Sequence, residues 1–371
     1  NVLRVMEEGH RGAGQPRGGS SPLTLPSPPE GERACRSLEA ERACQSLPFA
    51  LRAIARNAGF EIDHDDLNAA LGLSWMICAN ADEPDIGVWS MYARDAFLIE
   101  AGRLFGMQIR EIHPPEAARG LDAVAEFDQH FDASYRPLIH RALEHNQPVL
   151  AWQGWPGDRG LSWGVIREPC AEGVGFRGIN ICSDAELASP PLLTLTRPPI
   201  QLYVVERITA IAPRDVELLD VALDHARTVL GGGLSDRFGV ITGSSAFDEW
   251  IARLQQPDTP PIRVRSASDG SLRRPLVGAR VSDRNAASLI AGCEYAIRFL
   301  EHHLGSVSAD VSTIMQALIA EAQTIVTVLR EFMQVVETAP PDADALLVER
   351  LSQVRSAVVR SLAVLRSVAT P

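Results

Sequence analysis

No two cysteines of this chain stand two residues apart. Cys35, Cys44, Cys78, Cys170, Cys182 and Cys293 are scattered singly. That pattern excludes a CxxC-type zinc site and a dense disulfide framework, and it points to reduced thiols. The nine histidines form no ligand spacing with Cys, Asp or Glu. The adjacent His302 and His303 would diverge by about 100° on a helix, a poor chelate. No metal and no other cofactor is expected. Unbroken runs of about 18 apolar residues are missing, so no membrane span is expected, and no compact apolar signal core opens the chain. Basic stripes with interleaved aromatics are missing as well, and a net charge of −12 with a pI near 5.3 argues against a nucleic-acid partner. The localisation these absences imply is cytoplasmic.

What is present is an ordinary globular composition, 46% hydrophobic and 22% charged, over 371 residues. That length suits two or three domains of about 100–200 residues each. Residues 1–31 are rich in Gly, Pro, Ser and Arg without a sustained period, which reads as disorder. They resemble translated GC-rich repeat, so a true start downstream is expected. A short duplication follows, ERACRSLEA at 32–40 and ERACQSLPF at 41–49, in which six of nine positions match. The first copy reads as slippage in a surface segment, and the second runs directly into a helix. The lead is therefore set at 1–40.

Leu47, Leu51, Ile54, Ala55 and Ala58 recur at helical spacing and stop at Gly59, predicting a helix over about 46–58. Pro48 fits its first turn, where no intrahelical donor is lost. Asp63 is a plausible cap for HDDLNAALG, and 88–105 predicts a long helix ended by Gly106. Strands are expected at 107–113, 148–154, 162–168, 175–181 and 200–208, with a helix at 133–146 before the second of them. The intervening GWPGDRG, PCAEGVG and SDAELASPP read as turn-rich breaks. After Pro213 no strand pattern is read. Helices are expected at 214–231, 244–256, 284–304, 308–336 and 342–368, the last three with the apolar spacing of a bundle. Helices, then antiparallel strands, then helices is an α+β order and not a βαβ repeat.

A thiol at the start of a helix feels the positive end of the helix dipole, which favours the thiolate. Cys44 stands at such a position. Nucleophilic catalysis would also need a base, usually His, with a third group to orient it. The segment CQSLPFALRAIARNAGFEI, the pair of strands in PVLAWQGWPGDRGLSWGVI, the strand IQLYVVERI and the segment TGSSAFDEWIARLQ together resemble a known family. It is the papain-like fold of the bacteriocin-leader cysteine peptidases, and closer still the N-terminal domain of the butirosin-biosynthesis acyltransferase family. The resemblance covers about 41–371.

It implies a papain-like α+β domain, of N-terminal helices plus an antiparallel sheet, at 41–212. An all-α helical domain follows at 213–371. Carried over position by position, Cys44 matches the nucleophile and Ser162 stands where the family has its His. Asn180 and Asp184 are the candidates for the orienting residue. The family's oxyanion-hole Gln is replaced, with Leu38 and Glu39 standing there. Serine cannot act as a base near neutral pH, so the expectation is a non-catalytic relative that binds a peptide, a small molecule or a partner protein. The alternative is a Cys44-dependent amide hydrolase or acyltransferase using another base, with His64, His140 and His145 the histidines at hand. Trp152, Trp155 and Trp163 are candidates to line a cleft, with core packing the competing reading. The C-terminal helices offer a surface for a second copy or another protein.

Overall fold

The computed structural model describes residues 46–76, 78–80, 95–112, 129–157, 162–170, 175–181, 183–199, 201–233, 240–255, 264–265, 272–273, 279–338, 340 and 342–367. Cys44 and the lead fall outside the described residues, as do residues 81–94, the first part of the helix expected at 88–105.

The first described helix, α1, occupies residues 46–57. Leu47, Leu51, Ile54 and Ala55 are its buried stripe, each at most 3% exposed. Asp63 then caps α2 (His64–Ala70) by accepting from the N–H groups of Asp65 and Asp66 at 2.8 and 3.1 Å. A 3₁₀ turn (Leu73–Trp75), a short strand β1 (Cys78–Asn80) and helix α3 (Asp95–Leu104) lead to β2 (Met107–Glu111). A π turn (Phe131–Tyr135) runs into α4 (Arg136–Glu144). Strands β3 (Val149–Trp152), β4 (Trp163–Pro169) and β5 (Phe176–Ile179) follow, then α5 (Asp184–Ala188), β6 (Leu192–Thr194) and β7 (Gln201–Ile208).

These strands form one six-stranded sheet in the order β2-β7-β3-β4-β5-β6, antiparallel at every pairing. Alternation along the strands divides the side chains between two faces. Leu150, Trp152, Trp163, Val165, Ile179, Tyr203 and Val205 join α1, α2 and α3 in the larger core. Val149, Ala151, Ile166, Phe176, Leu202 and Val204 close a smaller core with Phe131 and with Ile139 of α4. Both faces are thus covered, which is why β3, the start of β4 and most of β7 read as continuous apolar runs. Where β4 meets β5 the backbones approach so closely that a Cβ on Gly178 would stand 2.0 Å from the Val165 carbonyl oxygen. Only glycine fits there.

Past the irregular residues 209–214 the chain turns helical. The helices are α6 (Asp215–Leu230), α7 (Ser244–Gln255), α8 (Ala279–His303), α9 (Ala309–Thr338) and α10 (Ala343–Ser367). The class is therefore α+β, with an antiparallel sheet in the first half and a helical second half. Three departures from the sequence reading share one cause, shortness. Ser183 caps a five-residue helix, α5, by accepting from Glu186 N–H, inside a segment expected to be only a turn-rich break. β6 is three residues long. Strands also continue after Pro213: β8 (Val240–Thr242) pairs with β1, and β9 (Val264–Arg265) pairs with β10 (Leu272–Arg273). Two or three residues carry no readable period.

α9 packs between α8 and α10, α10 lies on α6 and α7, and α8 lies on α2 and the 3₁₀ turn. By length and composition α9 is apolar enough to cross a membrane, although it holds no unbroken run of 18 apolar residues. Its Met315, Leu318, Ala322, Ile325, Leu329 and Phe332 are buried against neighbouring helices of the bundle. The larger core runs without interruption from Leu47 to Leu365. Polar contacts reinforce the seam. Arg298 of α8 forks onto Asp65 of α2 at 2.8 and 2.9 Å, and His303 reaches Asp66 at 3.1 Å. His225 of α6 meets the Ala70 carbonyl and Glu100 through its two ring nitrogens while stacking on Phe97. Every basic partner in these bridges is Arg or His, because the sequence contains no lysine.

Phe332 is fully buried and meets Trp250 edge to face at 5.5 Å. Replacing it with Ala is expected to cost about 3–5 kcal/mol. Since the core is continuous, unfolding followed by tryptophan fluorescence and by far-UV circular dichroism should remain one coincident transition. Separate transitions for sheet and bundle would contradict this picture.

Candidate functional site

α1 meets the sheet at its first described residue. The Trp163 N–H donates to Ser46 Oγ at 2.9 Å, so the start of the helix is pinned to the start of β4. Ser46 is fully buried and stands two positions after Cys44. Ser162, the residue before β4, is 3% exposed, and its carbonyl accepts from Gln153 N–H at 3.0 Å, extending the β3–β4 ladder by one step. Asn180 follows the last residue of β5 and is fully buried. Its Nδ2 donates to Ser162 Oγ at 2.7 Å and to the Trp163 carbonyl at 2.8 Å. Both hydrogens of that amide nitrogen are thereby used.

Of the candidates read from the sequence, Ser162 and Asn180 are thus brought into direct contact. Asp184 is not. Its side chain is 77% exposed in the first turn of α5 and pairs with Arg52 at 2.7 Å. Trp152, Trp155 and Trp163 are all core residues, at most 3% exposed, and they do not share one face. Trp152 and Trp163 belong to the larger core, whereas Trp155 lies in the smaller one with its indole N–H donating to the Ala151 carbonyl. Trp155 packs so tightly on β4 that a Cβ on Gly164 would fall 2.4 Å from its ring.

The three histidines at hand as alternative bases make other described contacts. His140 packs on Phe176 at the small core, and His145 Nδ1 lies 2.7 Å from the Arg141 carbonyl at the surface. His64 sits in the seam between α1 and α8, against Phe49 and Tyr295 at ring distances of 4.6 and 5.0 Å. Burial, assisted by the nearby Arg52, holds its pKa down at about 4, so the ring is neutral near pH 7.

The sequence reading missed Ser46, Gln153 and Gln201. Ser46 needed only the observation that a serine begins the helix. Gln153 is 1% exposed and has a left-handed backbone, φ +69°, which no pattern in the sequence announces for a glutamine. Gln201 is the strand partner of Trp152 and 8% exposed. The polar groups gathered here are hydroxyls and amides. They can donate and accept hydrogen bonds, and none of them can take up a proton near pH 7. Among the described residues no group of three or more His, Cys, Asp or Glu could hold a metal ion. A scan against protein-family models finds no match to the chain, and a search of curated proteins finds none either.

Two outcomes follow. Asn180→Leu removes the donor of two buried hydrogen bonds and should cost about 1–3 kcal/mol in urea unfolding. For His64, the folded-state pKa of about 4 lies below the ordinary 6.5, so its contribution to stability is complete above pH 6.5 and declines as pH falls toward 4. Wild type should lose up to about 3 kcal/mol over that interval, and a His64→Phe variant should lack this part of the slope.

Proposed function

We propose that the chain is a non-catalytic relative of the papain-like, butirosin-acyltransferase-like family that acts by binding. Its cleft, at the meeting of α1 with the β3–β4 end of the sheet, takes a peptide, a small molecule or a segment of a partner protein. The observation that carries the reading is the buried hydrogen bond from Asn180 Nδ2 to Ser162 Oγ, 2.7 Å long. In a cysteine-nucleophile enzyme of this design, an Asn or Asp would orient an imidazole. There the orienting oxygen accepts from a ring N–H; here the Asn180 amide nitrogen instead donates to a hydroxyl, which fits an orienting position kept and a base replaced. Sequence order supports the same reading, with Cys44 two positions before the first described residue of α1, Ser162 before β4 and Asn180 after β5. A cytoplasmic setting, with reduced thiols, belongs to the same proposal, as does a second copy or partner on the C-terminal helices.

Ser162→His tests it. Alkylation by iodoacetamide at pH 6, with Cys44→Ser subtracting the other thiols, should proceed at Cys44 no faster than at a free thiol in the wild type. The Ser162→His variant should accelerate it about tenfold as the thiolate gains a partner. An unchanged rate would mean that Ser162 does not face Cys44. Rapid wild-type alkylation together with cleavage of peptide substrates would overturn the binding role.

A further inference from the structure

Along residues 311–329 of α9 the only ionisable side chain is Glu321, in a chain whose charged fraction is 22%. Its carboxylate is taken by Arg360 of α10, which forks onto it at 2.7 and 2.8 Å. Over this length α9 exposes Thr313, Gln316, Ala320, Gln323, Thr324 and Thr327 to solvent. At the helical period these six fall within an arc of about 100°, a single stripe along one side of the helix. The Glu321–Arg360 pair borders the stripe toward α10, and Arg330, paired with Glu294 at 2.6 Å, borders it toward α8. The stripe's three hydroxyls are already spent as donors. Thr313, Thr324 and Thr327 each donate to the carbonyl four residues back at 2.9 Å. Covering them therefore strands no hydroxyl donor.

The stripe reads nearly the same in both directions. Counted from Ala320, Thr313 stands seven residues before and Thr327 seven after, while Gln316 stands four before and Thr324 four after. Two α9 helices laid antiparallel about a two-fold axis through Ala320 would set Thr313 of one copy against Thr327 of the other. Gln316 would then meet Thr324, whose hydroxyl oxygen still accepts from an amide N–H. The smallest side chain of the stripe lies on the axis, where the two helices come nearest. An isologous contact demands this self-match, and a partner of different sequence gives no reason for it. Charge favours the same occupant. At a net charge of −12 two copies repel over most of their surface, and a basic partner would be drawn to that acidic surface instead. The area suffices as well. α9 has 30 residues and is about 45 Å long, and with the flanks of α8 and α10 its face is roughly 20 Å wide. That gives roughly 900 Å², against the ~800 Å² per partner of a stable interface.

We infer that the outer face of α9 is a two-fold interface, centred on Ala320, through which two copies of this chain pair. This sharpens the second-copy element of the role proposed above, and it stands whatever the alkylation of Cys44 shows.

Sedimentation equilibrium of the full chain at micromolar concentration should return twice the 40.3 kDa chain mass. Ala320→Glu sets two carboxylates against each other across the axis and should weaken pairing at least about tenfold, with circular dichroism unchanged. Under mild oxidation Ala320→Cys should give a reductant-sensitive crosslinked dimer above the wild-type background. Thr338→Cys, exposed on the same helix but about 27 Å from the axis, should not. A wild-type monomer overturns the inference, as does a dimer that Ala320→Glu leaves intact or equal crosslinking at the two positions. Binding of a monomeric wild type to phosphatidylcholine vesicles, lost in Ala320→Glu, would put a membrane on this face and overturn it too. If Ala320→Glu fails to fold, the two cysteine variants decide. A monomer together with accelerated alkylation in Ser162→His would sink this interface and leave the binding role standing. A dimer with unchanged alkylation would do the reverse.

Discussion

The Asn180 amide holds the centre of this molecule together. A single buried nitrogen gives one hydrogen to Ser162 Oγ and the other to the Trp163 carbonyl, so the end of β5 is fastened to the residues that begin β4. The next N–H along, that of Trp163, is fastened to Ser46 at the start of α1. Three segments far apart in sequence, near residues 46, 162 and 180, thereby meet at one point. Each of these groups is out of water, where an unmade hydrogen bond costs more than a made one contributes. The register of β4 and the seating of α1 therefore stand or fall together.

The same point limits the chemistry. An imidazole beside Asn180 would couple the amide to proton transfer, whereas the serine hydroxyl there cannot take up a proton near pH 7. What remains near the Trp152–Trp163 strand pair is a set of buried neutral polar groups, Ser46, Gln153, Ser162, Asn180 and Gln201. His64 is held neutral by burial and packs against Phe49 of α1 and Tyr295 of α8, joining the helical half to the sheet-bearing half.

Much of this was legible in the sequence, for physical reasons. β3, the start of β4 and β7 are covered on both faces, so they appear as apolar runs that need no alternation to be recognised. α6 to α10 repeat apolar residues at helical spacing over 12 to 30 residues, long enough for the period to declare itself. α5, β6 and β8 were not legible because their causes lie elsewhere. α5 depends on one cap at Ser183, and β8 is fixed by pairing with β1, far back along the chain. The contact of Ser162 with Asn180 was visible only through the family resemblance, since nothing in the spacing singles out those two residues. Trp155 was grouped with Trp152 and Trp163 by nearness in sequence, and the turn at Gln153 and Gly154, both with positive φ, carries it to the opposite face. Gln153 itself could not be foreseen, because a left-handed glutamine has no sequence signature.

The proposed binding role requires that Cys44 lack a base beside it. Titrating the thiolate absorbance of the full chain, with Cys44→Ser as the reference that removes the other five cysteines, measures this directly. The account predicts a Cys44 pKa close to the free-thiol value of about 8.5, lowered only slightly by the helix N-terminus. A value below about 7 would show an ion-pair partner at Cys44 and contradict the claim.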